Sequence, residues 1–580
     1  MSTPPSVSAP SAGRTRPPSR RRALGLTAAL GTILTVAGCT AWAGGIGRTS
    51  AVSTSEGSEA SGGIIRYAHL QEPPCVYGGW IQQAFTSRQV LDSLVSAEPD
   101  GTVVPWIATD WSVSEDRLSW TLDLQEGVRF TDGTALDGEA VAANFEYWMS
   151  GGNGTAAAHL GGFYASVEVT GPLQVTVHLS RPYSPFLSTI SQPYFGLQSP
   201  AALRERTPEQ NCEQPIGSGP FAVSEWRRGE YLEFTRNEDY DWAPANARHQ
   251  GPAHVAGIRW SFVQDNTSRY GSLLSGESDV IGEVPAVNLD DARADYEVHQ
   301  YITPGRPVVL SLNTQQGPFQ DVQVRRALAA ATDREAIVDS AFLGTVPYEG
   351  NGFLSQSTPS YDSSVAADHP FDLDRANALL DEAGWTGREQ DGTRTKDGQP
   401  LEVTFVFGTN SLVTQEGATA MQSVQEQARA AGFRVVLRPL TQSEAFSGAY
   451  STPESYDATL GYWTSPHAGI LNINYRPSTP EEPNGANSTF LADEQIFQTV
   501  QRALSARTQE EADRHFTEAQ QELSKQIPAI GLYTQTSTLA VDRALQGVYP
   551  EASQGGPVFY DAQFVDAASG DLDTEAGEEQ

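Results

Sequence analysis

Segments of two hydrophobic periods alternate along this chain, and the alternation never settles into a repeat. Trp120, Leu122 and Leu124 are separated by polar residues, the period-2 pattern of a strand with one covered face. Leu173, Val175, Val177 and Leu179 alternate in the same way, as do Val403, Phe405 and Phe407, and Phe433, Val435 and Leu437. Helical spacings lie between them. Asp137 is placed to cap a helix carrying Val141, Phe145 and Trp148, with Gly151 as its stop. Asp321 precedes Val324, Leu328 and Ala331; Asp374 precedes Ala376, Leu379, Leu380 and Ala383, with Gly384 at the end. Glu126-Gly127 and Asp132-Gly133 are turn signals around Val128-Arg129-Phe130. No period of about 20–50 residues recurs, which excludes a solenoid. The expected class is α/β, shading to α+β.

The first residues read as an address, not as fold. Residues 1–22 hold five arginines and no acid, and the apolar stretch Ala23 to Ala37 follows. A bilayer span needs about 20 apolar residues, so a secretory signal is the better reading. The stretch ends Val36-Ala37-Gly38-Cys39, which resembles a bacterial lipobox and implies a lipidated Cys39 as mature first residue. Ser19-Arg20-Arg21-Arg22 suits either general secretory or twin-arginine export. Residues 40–62 are rich in Gly, Ser, Ala and Thr and read as a tether with a reach of roughly 26 Å. Asp566 to Gln580 holds six acids and no base and reads as a disordered tail. Cys75 and Cys212 are the cysteines that remain once Cys39 is acylated, and an oxidising compartment favours a disulfide between them.

Several chemistries lack their residues. A net charge of −34 is the opposite of a nucleic-acid footprint. There is no Walker A pattern, no H-E-x-x-H, no C-x-x-C and no G-x-S-x-G elbow. Gly217-Ser218-Gly219 is a glycine-rich turn. His249 and His254 are the closest histidine pair, and a structural or surface role is expected for them. No catalytic residues, metal site or cofactor are expected.

Five segments, in order, resemble family 5 of the bacterial extracellular solute-binding proteins, the peptide, oligopeptide and nickel type. They are Val104-Pro105-Trp106-Ile107-Ala108 through Trp111 to Gly127-Val128-Arg129-Phe130-Thr131-Asp132-Gly133; Pro215 to Phe221 with Trp226 and Arg236-Asn237-Glu238-Asp239-Tyr240; Leu274 to Val280; Leu312-Asn313-Thr314 through Pro318-Phe319-Gln320-Asp321 to Thr332-Asp333-Arg334; and Ala378 to Trp385. The resemblance implies a two-lobed binding-protein fold with a cleft, a hinge and an extra domain in the N-terminal lobe. Lobe I is expected from 63–90, 212–305 and 531–565, the extra domain from 91–211 and lobe II from 306–530. It also implies a monomeric receptor of an ABC importer, with a peptide or peptide-sized ligand and a membrane permease as partners. A sensory or chaperone-like lipoprotein that keeps the fold without transport is the alternative.

The same resemblance places the cleft at Trp80, at Ser87 in an expected Ser87–Leu94 helix, at Tyr194-Phe195, at Asn313, and at Gly461-Tyr462-Trp463-Thr464. Two family anchors are missing. Peptide-binding members carry an Asp just after the Trp, where this chain reads Thr464-Ser465-Pro466-His467. Dipeptide binders carry an Arg where it reads Gly408-Thr409-Asn410-Ser411. The expectation is therefore an uncharged or modified solute held by stacking and neutral hydrogen bonds.

Overall fold

The computed structural model describes residues 62–77, 85–409, 413–445, 447–480 and 482–565. The signal, the lipobox, residues 40–61 of the expected tether and the acidic tail lie outside these residues, as does Trp80; Gly62, the last residue expected in the tether, begins a strand. Three sheets organise the rest. The largest has seven strands, in the spatial order Glu297–Ile302, Thr536–Val541, Val280–Gly282, Gly62–His69, Val255–Phe262, Tyr231–Arg236, Phe221–Arg227. Gly62–His69 runs parallel to Val255–Phe262 and to Val280–Gly282, and the remaining pairs are antiparallel. A five-stranded sheet follows the order Arg434–Leu440, Glu402–Gly408, Ala458–Thr464, Gly305–Leu312, Ala529–Tyr533. Every residue of its strands Gly305–Leu312 and Ala529–Tyr533 is buried. Strands covered on both faces lose the period-2 alternation, which is why neither stood out in the sequence.

The third sheet, Ala108–Val113, Ser119–Leu124, Gln174–Leu179 and Tyr164–Gly171, is antiparallel. Trp120, Leu122 and Leu124 all point into its core. Helix Gly138–Tyr147 packs beside it, and Asp137 caps the helix by accepting from Ala140 N at 3.0 Å. The chain then turns at Gly151, with φ 96°. Asp321 caps Val322–Ala330 as expected. The helix expected after Asp374, Leu373–Glu382, is capped by Asp372 and not by Asp374. Asp372 has the extended backbone a cap needs and accepts from Arg375 N at 2.8 Å, whereas Asp374 already lies in the first turn.

The chain passes between the two larger sheets twice, at neighbouring places. Ile302 ends a strand of the seven-stranded sheet and Gly305 begins one of the five-stranded sheet. Tyr533 ends a five-stranded element and Thr536 begins a seven-stranded one. The two connections lie side by side, with Thr303 N donating to Gln535 O at 2.8 Å. The second passage runs through Thr534 and Gln535.

Cys75 and Cys212 are joined by a disulfide, Cα atoms 5.0 Å apart across 137 residues of sequence. The expected Ser87–Leu94 helix is only a short 3-10 turn, Ser87–Gln89. Its continuation is prevented because neighbouring carbonyls serve other elements: Val90 O accepts from Gly219 N and Leu94 O from Ala108 N. This explains Gly217-Ser218-Gly219. A Cβ on Gly217 would sit 2.0 Å from Val90 O, and one on Gly219 2.5 Å from Val90 C, so only glycine lets the two backbones meet.

Candidate functional site

The site starts from one pair of strands. Gly305–Leu312 and Ala458–Thr464 are antiparallel, with Arg306 opposite Trp463 and Val309 opposite Gly461. Because side chains alternate across a sheet, Leu460 joins Phe405, Phe407 and Leu310 in the core on one face. On the other face Val406, Thr459, Gly461 and Trp463 line a cavity of about 880 Å³, measured out to its open mouth. Tyr450, Tyr456 and Phe490 form its far walls. Tyr456 is fixed by donating to Ser488 O at 2.9 Å. Its ring lies 5.8 Å from that of Phe490. Gly461 leaves the floor open: the nearest heavy atom to a Cβ built there is Arg306 Nη2, at 4.0 Å.

A second cavity, of about 800 Å³, opens between the two large sheets. Tyr67, His69 and Phe85 line it from the seven-stranded side, Tyr462 and Thr464 from the five-stranded side. Tyr462 thus borders both cavities. The second cavity carries one carboxylate among the described residues, Glu283, whose backbone adopts φ 52°. Burial pushes its carboxyl up to about 7, against the opposing pull of Arg269. Burial draws the His69 imidazole down to about 4.

The residues expected at the cleft divide into two groups. Gly461, Tyr462 and Trp463 line the first cavity, and Tyr462 and Thr464 the second. Tyr194 lines neither, but its hydroxyl lies 3.1 Å from Thr464 Oγ1 and ties the third sheet's domain to the five-stranded sheet. Phe195 is fully buried, edge-on to Trp148 at 5.2 Å. Ser87 is buried at the start of its short turn. Asn313 sits at the end of Gly305–Leu312 remote from the crossover, where its amide donates to Pro453 O and Tyr456 O. It orders the segment that carries Tyr456 and does not line either cavity. Among the described residues no group of three His, Cys, Asp or Glu is disposed to hold a metal ion. His249 and His254 stack at 4.1 Å, and His249 Nδ1 lies 2.9 Å from an Asp561 oxygen.

Arg306, Tyr456, Phe490 and Glu283 were not anticipated. Arg306 had a signal: it is the single charge in the strand Gly305–Leu312, whose eight residues are all buried. The two loop aromatics had none, since only the tertiary fold brings residues 450–456 and 484–490 over the sheet.

The family model for "Bacterial extracellular solute-binding proteins, family 5 Middle" matches residues 102–477, more than half of the chain. The nickel-binding periplasmic protein of Escherichia coli K12 is 31% identical over 337 residues, 57% of this chain and 62% of that protein. The chain thus matches under two thirds of that relative's length. The probable D,D-dipeptide-binding periplasmic protein DdpA of the same organism is 24% identical over 76% of this chain and 81% of its own. In structure, the oligopeptide-binding protein AppA of Bacillus subtilis, solved with a nonapeptide, superposes with a TM-score of 0.75. At 19% identity it covers 87% of this chain and all of its own. The architecture is accordingly the two-lobed mixed α/β fold of the oligopeptide-binding proteins. This is a family of solute-binding proteins and not of enzymes. The chain belongs to the bacterial extracellular solute-binding proteins, family 5.

Proposed function

We propose that this chain is the lipid-anchored receptor of an ABC importer, which encloses a peptide or peptide-sized solute between two lobes and delivers it to a membrane permease. The observation that carries the reading is the pair of adjoining cavities, one on the five-stranded sheet and one between the two sheets, sharing Tyr462. Both are concave and combine aromatic walls with a few polar groups, the make-up typical of solute sites. The side-by-side connections at Thr303 and Gln535 supply the geometry of a two-strand hinge. Closure is driven by contacts that the solute makes only when both lobes touch it. The lobes correspond to the seven-stranded and five-stranded sheets, with the four-stranded sheet as the extra domain. Cys39 holds the protein to the outer face of the cytoplasmic membrane, and residues 40–62 let it reach the permease.

The test is to denature the purified protein and identify released small molecules by mass spectrometry, for the wild type and for Trp463→Ala. A peptide-sized solute is expected from the wild type and a reduced yield from the variant. Removing an aromatic from the wall costs roughly 1–3 kcal/mol, or about ten- to hundred-fold in affinity. Equal yields from both proteins would remove Trp463 from the site. The same mass analysis of the membrane-bound form reads the anchor: a mature N-terminus without lipid on Cys39 refutes it.

A further inference from the structure

We propose that Arg306 binds a carboxylate of the captured solute in the cavity on the Val406–Gly461 face of the five-stranded sheet. This rests on the receptor reading above and narrows it to an acidic solute.

The argument is one of unmet demand. Arg306 is 6% exposed. A guanidinium this deep needs acceptors, since an uncompensated buried ion costs several kcal/mol. The other deeply buried arginines have them, Arg334 among them through Gly531 O and His369 O, although its Nε also lacks a partner. Arg269 donates to the carbonyls of Gly282, Val263 and Glu283 and to Asn266 Oδ1. Arg325 donates to Gln526 O and Phe319 O. Arg394 donates to Trp385 O and Ala431 O and pairs with Asp381. Arg306 has one long bond, from Nη1 to Ser488 Oγ at 3.4 Å. Its Nε has no partner, and among the described residues no carboxylate lies within the 4.0 Å of an ion pair.

Its neighbourhood repeats the imbalance. Trp463, directly opposite in the strand pair, also has an unpartnered buried donor at Nε1. No acidic side chain lines the cavity among the described residues. The hydroxyls of Ser451, Thr459 and Ser488 are neutral acceptors and leave the guanidinium charge unmatched, so the group that would complete the site is an acceptor with negative charge. The guanidinium offers a planar fork that fits a carboxylate with two parallel hydrogen bonds. The aromatic walls Tyr450, Tyr456 and Phe490 favour an apolar or aromatic body next to that carboxylate. The expectation of a solute held with little help from charge gives way to this assignment.

The experiment is titration calorimetry of the dialysed full-length protein with two matched sets of N-acetylated peptides, two to five residues long with aromatic or aliphatic side chains. One set has free C-terminal carboxylates and the other C-terminal amides. Wild type, Arg306→Met and Arg306→Lys are compared, together with the thermal midpoint of each protein without added peptide. At least one acid is expected to bind wild type tenfold or more tightly than its amide. Arg306→Met should lose that preference, Arg306→Lys should keep part of it, and the midpoint of Arg306→Met should be unchanged or raised, because a buried unpaired charge has gone. Four results overturn the proposal: acid and amide bind equally; Arg306→Met binds the acid as wild type does; no acid binds; or both variants have lowered midpoints, which marks a structural arginine. Equal binding of acids and amides removes Arg306 while leaving the receptor reading intact, whereas wild type released without solute and binding neither set removes both.

Discussion

Gly461 and Arg306 define the solute space from opposite strands, and they can be tested apart. The backbone at Gly461 needs no glycine conformation, and a Cβ added there meets nothing closer than Arg306 Nη2 at 4.0 Å. Gly461→Val should therefore fold with stability within about 0.5 kcal/mol of wild type. It should lose solute affinity by tenfold or more, about 1.4 kcal/mol, because the valine occupies the floor of the cavity. Denaturant melts and calorimetry read the two effects separately. A variant that binds as wild type does would show that the solute lies elsewhere. At this scale the resemblance pointed to a short run, Gly461-Tyr462-Trp463, and that run lines the first cavity. Glu283 was invisible because nothing local distinguishes it from the chain's many surface acids. Phe195 is buried against Trp148, a tertiary fact that the sequence does not carry, since an aromatic beside a cleft and one beneath it look alike there.

Among elements, the passage from one large sheet to the other is the part most tightly specified. Gly305 follows it directly, with φ 119°. A Cβ there would lie 2.2 Å from Trp463 O and 2.6 Å from Ser465 N. Both the left-handed backbone and the contact with the neighbouring strand demand glycine. Gly305→Ala should destabilise the protein by at least about 1–3 kcal/mol, the cost of a strained backbone position. It should also weaken solute binding, since Arg306 and Trp463 are the next residues along the two strands. Urea melts with paired titrations check this; unaltered stability would show that the two strands part easily at this end. Elements with an exposed face, such as Ser119–Leu124, could be read from alternation. Those buried on both faces could not. The cap at Asp372 was missed for a smaller reason: two aspartates two residues apart are equivalent as symbols, and only the backbone angles at Asp372 make it the cap.

The whole molecule answers to pH through buried groups that pull in opposite directions. Asp92 is fully buried, and its Oδ2 accepts from Ser218 Oγ at 2.8 Å and Trp242 Nε1 at 3.0 Å. Burial outweighs these bonds and raises its carboxyl to about 7 from an ordinary 3.8. Glu349, nearly as buried, is likewise raised to about 7. Between about pH 4 and 7 the folded state holds protons on these groups that the unfolded chain has released, so stability falls as pH rises. His159 and His467 act in reverse. Burial lowers both to about 3, so below about pH 6.5 the unfolded chain binds protons that the folded one refuses, and stability falls as pH drops. The two trends offset one another near pH 5 to 6, and above pH 6.5 only the carboxylates still change. Asp92→Asn isolates one contribution. Its amide oxygen keeps the two donors of Ser218 and Trp242, and it has no charge to bury. Relative to wild type the variant should gain roughly 2–3 kcal/mol in unfolding free energy on going from pH 5 to pH 8, a shift of about three pKa units being only partly titrated over that range. Urea unfolding of the solute-free protein at both pH values measures it, with His467→Gln as the control expected to gain relative to wild type at low pH instead. Parallel pH profiles for wild type and Asp92→Asn would mean that Asp92 ionises in the ordinary carboxylate range, and that its contacts with Ser218 and Trp242 outweigh its burial.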